Sequence, residues 1–321
     1  MESKLAPLVD ALKSKKKVCL FTGAGVSTGA GIPDFRSPDT GLYSNLAKLN
    51  LPYAEAVFDI DFFKENPKPF YTLAEELFPG NYAPTKFHYL VRILQEQNLL
   101  KRVYTQNIDI LDRLAGVKDN FIIEAHGSFA TSRCIHCKKE VSIKKLKVMI
   151  KEKKVPTCAH CKGYIKPDIT FYGEGLPSKF FETWDKDRDD VEVALVSGTS
   201  LTVYPFASLP SSLDKTCLRV LANREKVGDL GRRKKDIVVL SDCDEFAETL
   251  ADLLGWKDDL EKYYKEGQKK YGKSHAVEDE LEKIDEKLKR EAGVEKVDKD
   301  RSADHSEDEE GLDELINKLK I

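Results

Sequence analysis

Four of the seven cysteines stand as two Cys-x-x-Cys pairs, Cys134/Cys137 and Cys158/Cys161, with 20 residues between them. No other feature constrains the fold as tightly. Two tight turns carrying two thiolates each can close one tetrahedral metal site, and the spacing matches a four-cysteine zinc ribbon. Both pairs lie in polar, turn-rich segments and not at a strand–helix junction, which argues against redox dithiols. Four thiolates leave no open coordination position, so the expected metal is structural. His136 and His160 lie inside the two knuckles and read as surface residues. Cys19, Cys217 and Cys243 stand singly in or beside apolar stretches, as reduced core thiols do. An odd cysteine count without an apolar leader speaks against a disulfide-built secreted protein. The expectation is a cytoplasmic protein, able to shuttle with the nucleus, with no membrane partner.

Around this module the chain alternates apolar, β-branched runs with helical patterns. Val18–Phe21, Arg102–Thr105, Phe121–Glu124, Val193–Ser197, Leu218–Leu221 and Ile237–Leu240 read as strands. Pro84–Gln97, Ile108–Ala115 and Asp244–Leu254 read as helices. Strands without polar alternation, separated by helices, predict a parallel sheet covered on both faces. The expected class is α/β, a doubly wound parallel sheet. Ligands of such sheets bind at the carboxyl ends of the strands. Charge is nearly balanced, 52 Lys/Arg against 55 Asp/Glu, which argues against a protein that coats nucleic acid. No direct nucleic-acid partner is expected.

Polar motifs follow the strands. The first runs into Gly23-Ala24-Gly25-Val26-Ser27-Thr28-Gly29, a turn whose backbone amides can approach a phosphate. The strict dinucleotide fingerprint needs glycine where Thr28 stands, and no acidic residue follows at the ribose-binding distance. Dinucleotide binding fits; a standard hydride-transfer site does not. Asp34-Phe35-Arg36 continues as a segment of the kind that covers a ligand. Gln106-Asn107-Ile108-Asp109 follows the second strand, where Asn107 or Asp109 can also cap a helix. His126-Gly127 follows the third, presenting an imidazole suited to general-base work. Gly198-Thr199-Ser200, Asn223-Arg224-Glu225 and Cys243 follow the last three strands along the same rim.

Together these motifs resemble the sirtuins, the NAD-dependent protein-lysine deacylases, over roughly residues 5–256. Asp39-Thr40-Gly41-Leu42-Tyr43 and Tyr204-Pro205-Phe206-Ala207-Ser208-Leu209 resemble class I, which includes the cytoplasmic fungal and animal subgroup. The resemblance implies a catalytic domain over 1–256, with a Rossmann-like large domain from 1–43, 81–130 and 168–256, into which the four-cysteine zinc ribbon is inserted as a small domain. It also implies a helical lobe near 44–80 and the zinc module near 131–167. NAD is then a consumed co-substrate. The acyl-lysine amide oxygen attacks the nicotinamide ribose, nicotinamide leaves, and O-acetyl-ADP-ribose forms. The resemblance makes His126 the base, with Asn107 and Asp109 ordering the nicotinamide ribose and Gln106 touching ribose. Ala24, Gly25 and Thr28 would line the pyrophosphate, with Asp34, Phe35 and Arg36 covering it. Thr199, Ser200, Asn223, Glu225 and Cys243 would hold the adenosine end. Gly23, Ile108, Gly198 and Arg224 complete the cofactor-contacting set. Thr170-Phe171-Tyr172-Gly173-Glu174 resembles the substrate-groove strand, although the family usually has Val at 170 and Phe at 172. A peptide would pair there by backbone hydrogen bonds. No Tyr and Arg pair stands where succinyl-removing members keep theirs, which points to a neutral acyl group. The implied partners are acetylated proteins such as histone or tubulin tails; oligomeric state is left open.

Two alternatives share parts of this reading: a mono-ADP-ribosyltransferase, and a module that only binds NAD or acetylated peptides. Residues 257–321 hold 36 charged residues of 65 and no aromatic after Tyr271, so they read as a mobile or weakly helical tail. Leu312, Leu315, Leu319 and Ile321 near the end suit an export signal, an autoinhibitory helix or a frayed helix without a role.

Overall fold

A computed structural model describes residues 1–32, 51–78 and 82–272, together with positions 283, 286 and 287. Residues 33–50 and 79–81 lie outside the described residues. They include Asp34, Phe35, Arg36 and part of the expected helical lobe. The strands are β1 (Val18–Thr22), β2 (Leu100–Thr105), β3 (Ile122–Glu124), β4 (Gly127–Cys134), β5 (Glu140–Val141), β6 (Ile165–Ile169), β7 (Val193–Ser197), β8 (Leu218–Asn223) and β9 (Ile237–Leu240). The helices are α1 (Glu2–Lys13), α2 (Ile60–Glu65), α3 (Lys68–Leu77), α4 (Lys86–Glu96), α5 (Leu111–Ala115), α6 (Ile143–Lys151), α7 (Ser178–Asp187), α8 (Leu209–Ser212), α9 (Cys243–Leu254) and α10 (Lys257–Tyr271).

β1 is buried along its whole length. Val18 and Leu20 join one apolar cluster, with Leu8 of α1, Leu90 of α4 and Phe246 of α9. Cys19 and Phe21 join the opposite one, with Phe180 and Trp184 of α7 and Phe206. A strand apolar on both faces needs a helical layer on each, and the sheet has both. Its order is β3-β2-β1-β7-β8-β9, and every pairing is parallel. The chain winds outward from β1 to β3, then restarts at β7 on the other side of β1. The switch point therefore falls between β1 and β7, where such sheets bind ligands. All six expected strands belong to this sheet.

The metal module is separate, an antiparallel sheet of order β5-β4-β6 carrying α6. Its apolar side joins a third cluster with α2 and α3, in which Phe63 and Phe70 pack edge-on against Phe171. Among the described residues no helix is long and apolar enough to cross a membrane.

Two expectations need correction. The helix expected from Ile108 starts at Leu111, because Asp109 Oδ1 accepts the Leu111 N–H at 2.9 Å and Ile110 takes φ 63°. A β-branched residue there costs on the order of 1–3 kcal/mol. The tail does not leave the folded body at residue 257. α10 packs with Leu260, Gly267 and Tyr271 buried, Tyr263 bonds Glu96, and Arg92 stacks 3.8 Å above the Tyr263 ring. Averaging composition over 65 residues concealed these 15. The segment from 273 onward, including the Leu312–Ile321 pattern, lies outside the described residues apart from the three positions named.

Gly267 sets the approach of α10 to α4. A Cβ built on it would fall 1.6 Å from the Tyr89 hydroxyl, whose side chain is buried. Alanine improves helix propensity by about 1 kcal/mol, but overpacking of a buried contact costs about 1–3 kcal/mol. Gly267→Ala should therefore lower the melting temperature. An unchanged or higher value by calorimetry would show that the contact is not tight.

Candidate active site

At the carboxyl ends of the sheet, Gln106 ties the rim together through its backbone and its side chain. The Gln106 N–H donates to Thr22 O at 3.0 Å, joining the ends of β1 and β2. Its side-chain Oε1 accepts from Thr199 Oγ1 at 2.6 Å, reaching the loop after β7. Its carbonyl oxygen lies 3.0 Å from His126 Nδ1, after β3. Four strand ends are thus tied through one residue.

That last contact sets the histidine's chemistry. A carbonyl only accepts, so Nδ1 carries the proton and Nε2 keeps its lone pair. Burial lowers the His126 pKa below the ordinary histidine value, and the Gln106 carbonyl opposes this without reversing it. The ring is therefore a neutral base near pH 7. Gly127 behind it has φ 67°, and a Cβ would fall 2.0 Å from Asp168 O. Only glycine fits where β4 crosses this edge of β6.

The glycine-rich turn lies against the β7 loop backbone to backbone. Gly25 N–H donates to Gly198 O at 2.8 Å, and a Cβ on Gly25 would lie 2.6 Å from Gly198 Cα. This contact fixes Ser27 beneath the rim, where it is buried. Ser27 Oγ donates to Asp109 Oδ2 at 2.6 Å and accepts from Asn107 Nδ2 at 3.1 Å. Asn107 Nδ2 also lies 3.1 Å from Gly23 O. Burial raises the Asp109 carboxyl above its usual range, and the bonds from Ser27 and Leu111 oppose the rise. Beside it, burial and then the Asp109 charge push Asp112 up to about 7. Ser27 was not among the expected contact residues. A lone hydroxyl in a glycine-rich turn carries no sequence signal; only its partners after β2 give it a role.

The residues expected at the adenosine end occupy the rest of the rim. Asn223 Nδ2 donates to Thr199 O at 3.3 Å and Glu225 O at 3.0 Å. Cys243 opens α9, buried, with Ser197 Oγ donating to its sulfur at 3.3 Å. Ser200, Arg224 and Glu225 are exposed, and Arg224 pairs with Asp242 at 3.0 Å. Ala24, Thr28 and Ile108 are half-buried along the same edge; Thr28 Oγ1 donates to Gly25 O at 3.0 Å. Asp34, Phe35 and Arg36 lie outside the described residues.

The expected substrate segment differs from a free strand. Thr170 N–H donates to His126 O at 2.8 Å, placing the segment beside the base. Glu174 folds back: its carboxylate accepts the Phe171 N–H at 2.9 Å, and its own N–H donates to Phe171 O at 3.0 Å. Tyr172 uses both backbone groups on Phe58 and Ile60. Phe171 is buried, whereas Tyr172 is exposed. Gly173, at φ 89°, closes the turn. Residues 171 and 172 therefore have no free backbone group for a peptide; any strand pairing must use Thr170 O or the backbone from Gly173 onward. Lys166, also absent from the expected set, braces the turn from beneath, 2.9 Å from Glu174 and 2.6 Å from Ile169 O.

The four cysteines expected at the metal do come together. Their Sγ atoms all lie within 4.8 Å of one another, with Cys134–Cys161 at 3.3 Å and Cys137–Cys158 at 3.7 Å. A tetrahedron of Zn–S bonds of about 2.3 Å needs sulfurs about 3.8 Å apart. None of the four is in a disulfide. Each knuckle closes alike: Lys138 N–H to Cys134 O, Lys162 N–H to Cys158 O, with both lysines at φ 60°. The set is placed to hold one structural zinc ion. His136 and His160 are exposed.

Two outcomes follow. Ser27→Ala removes the bridge between Asn107 and Asp109, and should lower kcat/KM for the NAD co-substrate that the resemblance implies by about ten- to a hundredfold, as loss of hydrogen bonds worth about 1.5–3 kcal/mol requires. Steady-state kinetics would detect it, and wild-type kcat/KM would show the bridge idle. Cys137→Ser should abolish stoichiometric zinc by elemental analysis and lower the melting temperature. Retention of one zinc per chain would contradict the ligand set.

Comparison with known proteins identifies the family. A family model described as the Sir2 family matches residues 23–205. NAD-dependent protein deacetylase HST2 of Candida albicans is 62% identical over 283 residues, 88% of this chain and 86% of that protein. NAD-dependent protein deacetylase hst2 of Schizosaccharomyces pombe is 56% identical over 259 residues, 81% of this chain and 78% of its own length. NAD-dependent protein deacetylase sirtuin-2 of Danio rerio is 47% identical over 272 residues, 79% of this chain and 72% of that protein. With the matched model spanning more than half its length and relatives aligned along most of theirs, the chain belongs to the Sir2 family.

Proposed function

We propose that the protein is an NAD-dependent protein-lysine deacetylase that passes the acetyl group of an acetylated lysine to ADP-ribose. Nicotinamide and O-acetyl-ADP-ribose are the products beside free lysine. The observation that carries this reading is the neutral imidazole of His126, its Nδ1 tied to Gln106 O, on the same rim as the half-buried Asn107–Ser27–Asp109 bridge. The relatives' names, each an NAD-dependent protein deacetylase, support it.

In this reading the acetyl-lysine amide oxygen bonds to the ribose carbon that nicotinamide leaves. Positive charge develops on the ribose, so the site needs positioning and a base rather than a strong nucleophile. Asn107 and Asp109 orient the ribose. His126 Nε2 takes the proton of a ribose hydroxyl, whose oxygen then bonds to the former acetyl carbon; a water adds at that carbon, its C–N bond breaks, and the lysine amine leaves with a proton, so one water is consumed for each O-acetyl-ADP-ribose formed. Acetylated proteins are the substrate class; histone or tubulin tails are the finer proposal. A cytoplasmic location with nuclear shuttling is proposed from the Leu312–Ile321 spacing, and deleting residues 305–321 without change in distribution would overturn it.

The experiment is a nicotinamide-release assay with an acetylated peptide, with mass spectrometry of products. O-acetyl-ADP-ribose is expected; an ADP-ribosylated protein would indicate a ribosyltransferase, and no release would indicate a binding module. His126→Ala should lower kcat by about 10²–10⁴-fold. Because burial depresses the His126 pKa, the base form persists below the usual histidine range. The acid limb of kcat/KM should therefore have its midpoint below about 6.5. A midpoint above that value would contradict the neutral-base assignment.

A further inference from the structure

Near-neutral net charge conceals a strong local imbalance. Residues 131–167, the metal module, hold 11 Lys/Arg against 2 Asp/Glu, while the rest of the chain holds 41 against 53. A basic module thus stands on an acidic body. Both acids of the module are already engaged: Glu140 with Arg133 at 2.8 Å, and Glu152 with Lys154 at 2.8 Å. Lys138, Lys139, Lys151, Lys153 and Lys162 are exposed, and none of them makes an ion pair among the described residues. Lys138 and Lys162 directly follow the second cysteine of each knuckle, so they flank one metal centre. Lys138, Lys153 and Lys162 occupy left-handed backbone positions that glycine or asparagine would fill more cheaply.

The composition of this face selects its partner. The large apolar side chains exposed among the described residues are Met1, Tyr53, Tyr172, Phe181, Tyr204 and Leu240, and all lie outside the module. Protein interfaces rely on buried aromatic and arginine anchors and are depleted in lysine. Single-stranded nucleic acid needs aromatic platforms for its bases, and none is exposed among the described residues of the module. Lysines free of ion pairs around a rigid metal centre suit a regular array of phosphates read without base contacts. The acidic remainder of the molecule would turn the module toward a polyanion and keep the body away.

We propose that the zinc module is a docking surface for the phosphate backbone of duplex nucleic acid, bound without sequence preference. Charge averaged over the chain predicts no such partner; the division of that charge points the other way. Docking here leaves the rim of the parallel sheet to the chemistry, so the surface would act on location and not on turnover.

The test is fluorescence anisotropy of a labelled mixed-sequence DNA duplex with the full-length, zinc-loaded chain. About four phosphate contacts predict a roughly hundredfold loss of affinity between about 50 and about 200 mM salt. The triple variant Lys139→Gln, Lys151→Gln, Lys153→Gln should bind at least about tenfold more weakly at the lower salt, with a salt slope reduced by about three. Its zinc content and its turnover of a short acetylated peptide should be unchanged, which separates docking from folding and catalysis. Failure to bind, or equal binding by the triple variant, would overturn the proposal. So would a poly-glutamate peptide binding as tightly as the duplex, which would indicate an acidic protein partner. Residues 298–314 hold nine Asp/Glu against two Lys/Arg. If the duplex bound only after those nine were changed to Asn and Gln, the surface would belong to the chain's own acidic segment, and the proposal would fall.

Discussion

Backbone meets backbone where Gly25 touches Gly198, and the active site depends on that contact. The two loops leave adjacent parallel strands, β1 and β7, at the point where the winding of the sheet reverses. Side chains there would hold the loops apart: a Cβ on Gly198 would stand 2.4 Å from Val26 N. Without them the turn after β1 folds down onto the β7 loop, and Ser27 arrives between Asn107 and Asp109. The same closeness lets Thr199 reach the Gln106 amide. One steric fact thus precedes every hydrogen bond of the rim.

The site joins rigid and strained parts. The sheet supplies rigidity, since its strand ends cannot move without breaking parallel ladders covered on both faces. Strain sits at Ile110, a branched residue held in the left-handed region immediately after Asp109. Asp109 holds the start of α5 with one oxygen and Ser27 with the other, so both oxygens of its carboxyl group are engaged. Strain at such a position is tolerated where surrounding bonds over-determine it. The metal module contributes by position: β4 begins one residue after His126, and β6 runs directly into the Thr170–Glu174 turn.

The strands were legible because a parallel sheet buried on both faces writes itself as uninterrupted runs such as Val18–Phe21 and Val193–Ser197. The metal site was legible because coordination demands a fixed spacing. What escaped reading was whatever depends on partners distant in sequence. Ser27 bonds residues 80 and 82 positions away. The Thr170–Glu174 segment looked like a free strand, but Glu174 satisfies Phe171 locally, a competition of side chain with ladder that no periodicity reports. α10 was hidden by its charged neighbours, and the basic module by an acidic body.

The proposed chemistry requires an imidazole whose free nitrogen faces the reacting sugar. A crystal structure with a slowly reacting NAD analogue and an acetyl-lysine peptide tests this most directly. His126 Nε2 should lie within about 2.6–3.2 Å of a hydroxyl of the nicotinamide ribose, with Nδ1 still bonded to Gln106 O. A ribose seated on the far side of the Gly25–Gly198 contact, or a ring turned with Nε2 toward the protein interior, would contradict the account.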